Sequence, residues 1–270
     1  MSSTARRADT GGSLRSLAVC IGPSVVLNGL LAACTVAAAS SIVRRLRGAS
    51  GAMLPIATLG ALAPWLYVLT VRRWLLHWGA TQAEVDADLP GDELVPRPTW
   101  QSTRAIDIAV PVDAVWPWLA QMGQDRGGLY SYDWLENLAG LEFHSADRIV
   151  PEWQSVHTGD IVRFAPNQDT LLVARVEPEH FLVWRVLKPG THLGADATWA
   201  FVLRAVDAHH SRLIQRFRFG IGPRAFSGVL YTALIEIPHF VMERRMLLGI
   251  RERANRSSHE RLSQCAARAS

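Results

Sequence analysis

Two groups of residues have types and spacings that could do chemistry. The first is Tyr130-Ser131-Tyr132-Asp133-Trp134, joined downstream by Trp153. Its rings end in hydroxyl and indole N–H groups, which could fix an amphipathic ligand at a pocket mouth or staple short helices to a sheet. The second is His144, with Glu142, Asp147 and Glu152 close in sequence. An imidazole among carboxylates can act as a general base. His144 and Tyr132 are therefore the candidates for moving protons on a bound carbonyl compound. No nucleophile accompanies them: there is no G-x-S-x-G, and Cys20, Cys34 and Cys265 lie outside the stretch that reads as a folded domain. Asp133 serves as a helix cap more readily than as an acid. His157, His209, His210 and His239 lack the spacing of a metal site. Gly123, Gly127 and Gly128 lack the strand-to-helix context of a dinucleotide loop. Neither metal nor cofactor is expected.

The elements that must position these residues follow from periodicity. Thr103 to Val110 alternates, with Ile106, Ile108 and Val110 on one face, and reads as a half-buried strand. A helix over Asp113 to Met122 tolerates Pro117 only within about its first turn. A second helix, Asp133 to Leu141, opens with Asp133 and Glu136 spaced like a capping box. From Asp160 the period is two: Ile161–Ala165, Leu171–Val176, Phe181–Leu187, Thr198–Val206 and Leu213–Phe219 read as strands of an antiparallel meander joined by short turns. Alternation turns Val162, Phe164, Leu182, Trp184, Val186, Trp199, Phe201, Leu203, Leu213, Phe217 and Phe219 inward. Arg163, Arg185, Arg204, Arg212, Arg216 and Arg218 fall on the other face, expected to be solvated. Gln215 is the polar exception on the inward face, placed to orient a ligand or to pair with a C-terminal helix. That helix is expected over Ala225 to Gln264, kinked at Pro238, with Glu243, Glu252 and Glu260 pairing arginines on its solvated side.

The N-terminal third is of another kind. Leu17 to Val43 and Ala52 to Val71 carry no charged side chain, and each is long enough to cross a bilayer core of ~30 Å as a helix. A signal peptide is the competing reading of the first run; its length and the second run so close behind favour a retained hairpin. Arg6, Arg7, Arg15, Arg72 and Arg73 on the outer flanks exceed Arg44, Arg45 and Arg47 in the loop. The positive-inside rule then puts the C-terminal domain in the cytoplasm of a cell with an inner membrane. The expected organisation is a tail over 1–16, a transmembrane hairpin over 17–78, an acidic and proline-rich spacer over 79–99, a domain over 100–264 and a tail over 265–270. A net charge of +4, with Lys188 as the one lysine and the arginines dispersed, excludes a nucleic-acid partner.

Ile108–Leu119 (IAVPVDAVWPWL), the run from Gln121-Met122-Gly123-Gln124 through Gly127-Gly128-Leu129-Tyr130 to Asn137, and the ending Phe240–Ile250 resemble the SRPBCC superfamily of START-like, helix-grip domains. The similarity is to a bacterial subgroup with membrane spans ahead of the domain and covers about Thr99 to Ala254. It implies an α+β fold in which a curved antiparallel sheet wraps a long C-terminal helix. It also implies an apolar small-molecule partner, lipid or polyketide-like, in the space between them. Tyr130, Tyr132, Trp134, Trp153, Phe164, Trp184, Trp199, Phe201, Gln215 and Phe217 are the expected ligand-binding residues. A cyclase- or dehydratase-like enzyme and an interaction module with a filled core are the alternatives.

Overall fold

The structure, a computed structural model, describes residues 71–138, 140–165, 168–187, 195–221 and 236–269. The two uncharged N-terminal runs lie outside the described residues apart from Val71, as does the segment 222–235 to which the sequence assigns the start of the C-terminal helix. The chain divides into two compact units, Met1–Arg73 and Trp74–Ser270, and all six strands belong to the second. Among the described residues no helix is long and apolar enough to cross a membrane.

The strands are β1 (Trp100–Ile108), β2 (Ile161–Ala165), β3 (Gln168–Glu177), β4 (Phe181–Val186), β5 (Ala195–Ala205) and β6 (Ser211–Ile221). They form one antiparallel sheet in the order β1-β6-β5-β4-β3-β2. The meander is the one that the period of two predicts. The pairing of the first strand with the last is not written in any local pattern. It sets Ile106 opposite Leu213, Arg104 opposite Gln215 and Ser102 opposite Phe217. Register shifts at Val162/Arg163 and Val173/Arg175 mark bulges, which add the twist a sheet needs to curl round a helix.

The concave face carries the core. Val115, Trp118, Leu119 and Met122 are buried there with Met246, Leu247, Ile250 and Ala254 of the C-terminal helix Glu236–Ala269. The helix expected over Asp113 to Met122 is Val112–Ala120, so Pro117 stands in its second turn and not its first. The helix tolerates it because Asp113, whose carbonyl loses its amide partner, is exposed and the helix ends three residues later. Gly249 is where the C-terminal helix meets Tyr130: a Cβ there would lie 2.2 Å from the Tyr130 carbonyl oxygen. Any larger residue must push the two apart.

The capping box expected of Asp133 and Glu136 does not form. The Asp133 carboxylate instead accepts the Ser145 N–H at 2.7 Å and its hydroxyl at 2.6 Å, tying the short helix Asp133–Leu138 to the loop behind it. Glu136 turns inward, and one of its carboxylate oxygens has no partner among the described residues. Burial, with the Asp133 charge beside it, pushes its carboxyl up to about 7.

The outer face is not the solvated arginine surface that alternation predicts, because the stretch read as a spacer packs on it. The Trp78 carbonyl accepts the Ala105 N–H of β1. Thr81 and Glu84 close a reciprocal cap on the helix Gln82–Asp86. Leu89 then buries itself against Ala105, Val202 and Ile214. Arg216, 2 % exposed, reaches the Thr103 hydroxyl, the carbonyls of Glu84, Val85 and Ala87, and Asp92 at 2.5 Å. Arg212 pairs with Glu84 at 2.8 Å and Asp107 at 2.9 Å, and Arg218 with Asp92 at 2.9 Å. A guanidinium can be buried here because the strap brings it backbone acceptors as well as carboxylates. Arg163 and Arg204 stay exposed, as expected.

Arg216→Ala is expected to lower the stability of the full-length chain by roughly 3–5 kcal/mol in urea unfolding, the cost of leaving a buried partner uncompensated; a loss below about 1 kcal/mol would mean that the strap does not depend on it. The Arg212 hydrogen bond holds the Glu84 carboxyl at about 2, below its ordinary 4.5. Its stabilisation is complete above pH 4.5 and disappears as pH falls toward 2, so Glu84→Gln flattens that acid limb. Glu136 has the opposite sign. Its native carboxyl keeps a proton that the unfolded chain releases above pH 4.5, so stability falls as pH rises toward 7. Glu136→Gln should remove on the order of 2 kcal/mol of the difference between pH 5 and pH 8. An unchanged difference in urea midpoints contradicts that assignment.

Candidate functional site

The concave face is built of rings set by register. Trp184 of β4 lies beside Trp199 of β5, and Trp199 beside Phe217 of β6. Trp184 and Trp199 meet edge to face at 5.8 Å, Trp184 and Phe201 at 5.3 Å, and Trp199 and Phe217 at 6.0 Å. Phe164 joins Trp199 to Phe143 at 6.0 and 5.4 Å. Six of the expected ligand-binding residues, Phe164, Trp184, Trp199, Phe201, Gln215 and Phe217, therefore share one face. The indole N–H groups of Trp184 and Trp199 are buried in it without a partner among the described residues.

One end of this face is polar, and most of that end escaped the sequence reading. Arg104 is fully buried and forms an ion pair with Glu243 of the C-terminal helix. It also donates to the Leu75 carbonyl at 2.9 Å and the Ser102 hydroxyl at 3.0 Å. Its guanidinium lies 5.3 Å from the centre of the Phe240 ring. Glu243 thus stands inside and not on the solvated side of its helix, because it falls in the stripe of Phe240, Met246, Leu247 and Ile250. Gln215 resolves its two alternatives toward the helix: its amide donates to Glu243 at 2.6 Å, while its carbonyl oxygen has no partner among the described residues. His239 Nδ1 lies 3.4 Å from Glu243 but is buried without a hydrogen-bond partner among the described residues. Its ring sits 4.7 Å from Phe217 and 5.3 Å from Trp100. Burial first, and the Arg104 charge second, hold its pKa down at about 3, so the imidazole is neutral at physiological pH. The Trp100 indole N–H donates to Glu236 at 2.8 Å, one turn earlier on the helix. Parity with Ile106 and Ile108 was the signal for Arg104, and helical spacing from Phe240 was the signal for Glu243.

The other expected residues lie apart from this group. Tyr130 is fully buried with positive φ (59°); its hydroxyl donates to the Trp118 carbonyl at 3.0 Å and Arg253 covers its ring. Burial pushes its phenol pKa up. Tyr132 is half-buried, Trp153 is half-buried with its carbonyl accepting from Arg126, and Trp134 is 68 % exposed. His144 is exposed with its Nδ1 3.2 Å from the Glu142 carbonyl, and no carboxylate pairs with it among the described residues. Asp147 pairs with Arg253 at 3.3 Å and Arg256 at 3.5 Å. A cleft of about 120 Å³ between Gly123–Arg126 and Ile161–Arg163 is smaller than the ~300 Å³ of a typical ligand site. Among the described residues no group of three or more metal-ligating side chains converges.

No family profile matches the chain, and no curated protein matches it. Solved structures do. One from Thermobifida fusca is 12% identical, covers 58% of this chain and 93% of its own, and has a TM-score of 0.35. A polyketide cyclase-like protein from Corynebacterium glutamicum is 14% identical over 58% of this chain and 91% of its own, with a TM-score of 0.33. Truncated norcoclaurine synthase from Thalictrum flavum is 13% identical over 55% and 91%, with a TM-score of 0.35. By its own element order and its β1-β6-β5-β4-β3-β2 antiparallel sheet followed by a long C-terminal helix, the chain has an α+β helix-grip arrangement.

Proposed function

We propose that the chain binds an apolar, largely planar small molecule between the sheet and the C-terminal helix. The two spans read from the sequence would keep that site beside a membrane. One observation carries the proposal: the Trp184 and Trp199 N–H groups are buried with no partner among the described residues. Each buried donor left unpaired costs ~1–3 kcal/mol, a cost that a ligand acceptor would remove. A filled core would have favoured Phe or Leu at both positions, which bring no such donor. The rings around them supply the apolar contact that makes up most of a small-molecule site.

Trp184→Phe and Trp199→Phe, which keep a ring and remove the N–H, distinguish the two cases in the full-length chain in mild detergent. Binding of an environment-sensitive naphthalene dye is expected to weaken about five-fold or more in the double variant, while the urea midpoint of the ligand-free chain holds or rises. If the wild type binds no dye and the variant only loses stability, the rings are core and the proposal fails. The membrane part is checked separately: protease added outside intact cells should leave the C-terminal domain whole.

A further inference from the structure

The outward side of the C-terminal helix Glu236–Ala269 changes character along its length. Between Arg244 and Glu260 its exposed positions are Arg244, Glu252, Arg256, His259 and Glu260. In its first two turns they are Ile237, Pro238 and Val241, with Ile237 48 % and Val241 40 % exposed. A helix whose outer side met only water would carry polar residues there as well. The segment that leads into the domain lies against these turns. The Trp74 ring meets Phe240 at 5.1 Å and the Arg244 guanidinium covers Trp78 at 4.9 Å, so 74–78 runs beside 240–244. Trp74 is itself 55 % exposed.

Charge is sorted here too. Residues 74–83 contain no carboxylate. The two in 236–245, Glu236 and Glu243, are both buried, the first against Trp100 and the second against Arg104. The side chains that these stretches turn outward are therefore apolar, polar or basic, and none is acidic. In the sequence only Arg72 and Arg73 separate Trp74 from the uncharged run Ala52 to Val71.

We propose that this patch docks on the surface of a bilayer that contains anionic lipid, with Trp74, Ile237 and Val241 among the headgroups and Arg244 at their phosphates. Tryptophan favours that boundary, and an arginine there gains from the negative leaflet. An apolar protein partner would account for the exposed side chains but not for the missing outward carboxylates. The inference rests on the two spans of the reading above, which bring Trp74 to the membrane, and goes beyond them, because a tether alone leaves the domain free to turn. Docking fixes its orientation. His239, which packs on Phe217 of the aromatic face, stands between Ile237 and Val241 on the helix, so the polar end of that face comes nearest the lipid.

The test uses the full-length chain with Cys20, Cys34 and Cys265 replaced by Ser and a polarity-sensitive dye on Val241→Cys. It is reconstituted in vesicles of phosphatidylcholine and phosphatidylglycerol that carry a lipid spin-labelled near its headgroup. Val206→Cys carries the control dye: Val206 is 62 % exposed and follows β5 at the end of the sheet away from Phe217 and Phe219. The spin-labelled lipid is expected to quench the dye at Val241→Cys and to leave that at Val206→Cys bright. Arg244→Gln should lower the ratio of docked to undocked domain about five-fold, the value of one arginine at an anionic surface. Ile237→Ser should lower it as well. A blue-shifted dye at Val241→Cys that lipid does not quench means that protein covers the patch, and overturns the docking; equal quenching at both positions overturns it too. Alkaline washing of the same vesicles reads the spans separately. A chain that resists washing but shows no quenching overturns the docking and leaves the spans. A chain that washes off, yet was quenched beforehand, supports the docking and overturns the spans.

Discussion

The buried ion pair between Arg104 and Glu243 is the constraint on which the inner architecture depends. Both side chains are within 2 % of complete burial, and neither charge survives there alone: removing one partner leaves the other in a low-dielectric interior at a cost of roughly 3–5 kcal/mol. The pair joins the first strand to the C-terminal helix. Ser102 and the Leu75 carbonyl bond to Arg104, and Gln215 to Glu243, so the position and rotation of the helix over the sheet are set by hydrogen bonds as well as by packing. An apolar contact would have allowed the helix to slide. This one fixes Glu236, His239 and Phe240 against Trp100, Phe217 and Trp74.

The same strand is held from behind. Arg216 and Arg212 on the convex face are neutralised by a strap that carries Glu84, Asp92 and the carbonyls of the helix Gln82–Asp86. The outer strap and the inner ion pair thus act on β1 and β6 from opposite sides. β1 is an edge strand, and the residues just before the strap cover its exposed amides and the buried arginine at once, through the carbonyls of Leu75 and Trp78.

Much of this was legible in the sequence, and the parts that were not share a cause. Alternation placed Trp184, Trp199, Phe201 and Phe217 on one face because hydrophobic period two is a local signal. Gln215 was conspicuous because it broke that pattern. Arg104 was missed, though it has the parity of Ile106 and Ile108, because a charge in a strand reads as solvated until its partner is known. That partner, Glu243, stands 139 residues away on a helix crowded with exposed charges. The strap was missed because Leu89 and Val95 do not form a periodic pattern, and acidic residues with prolines read as a spacer when the arginines they meet lie a hundred residues downstream. His144 and Tyr132 drew attention by composition alone, and the fold leaves His144 exposed and away from the aromatic face. Local periodicity carried the strands; long-range charge pairing carried the site.

The aromatic face is proposed as the wall of a ligand site. Native mass spectrometry of the full-length chain, released from mild detergent before and after organic extraction, addresses that most directly. A population heavier than the bare chain by one small apolar molecule, removed by extraction and restored from a panel of planar apolar molecules, is the predicted result. A single bare mass before and after extraction, with no uptake from the panel, would contradict it and leave the rings as core.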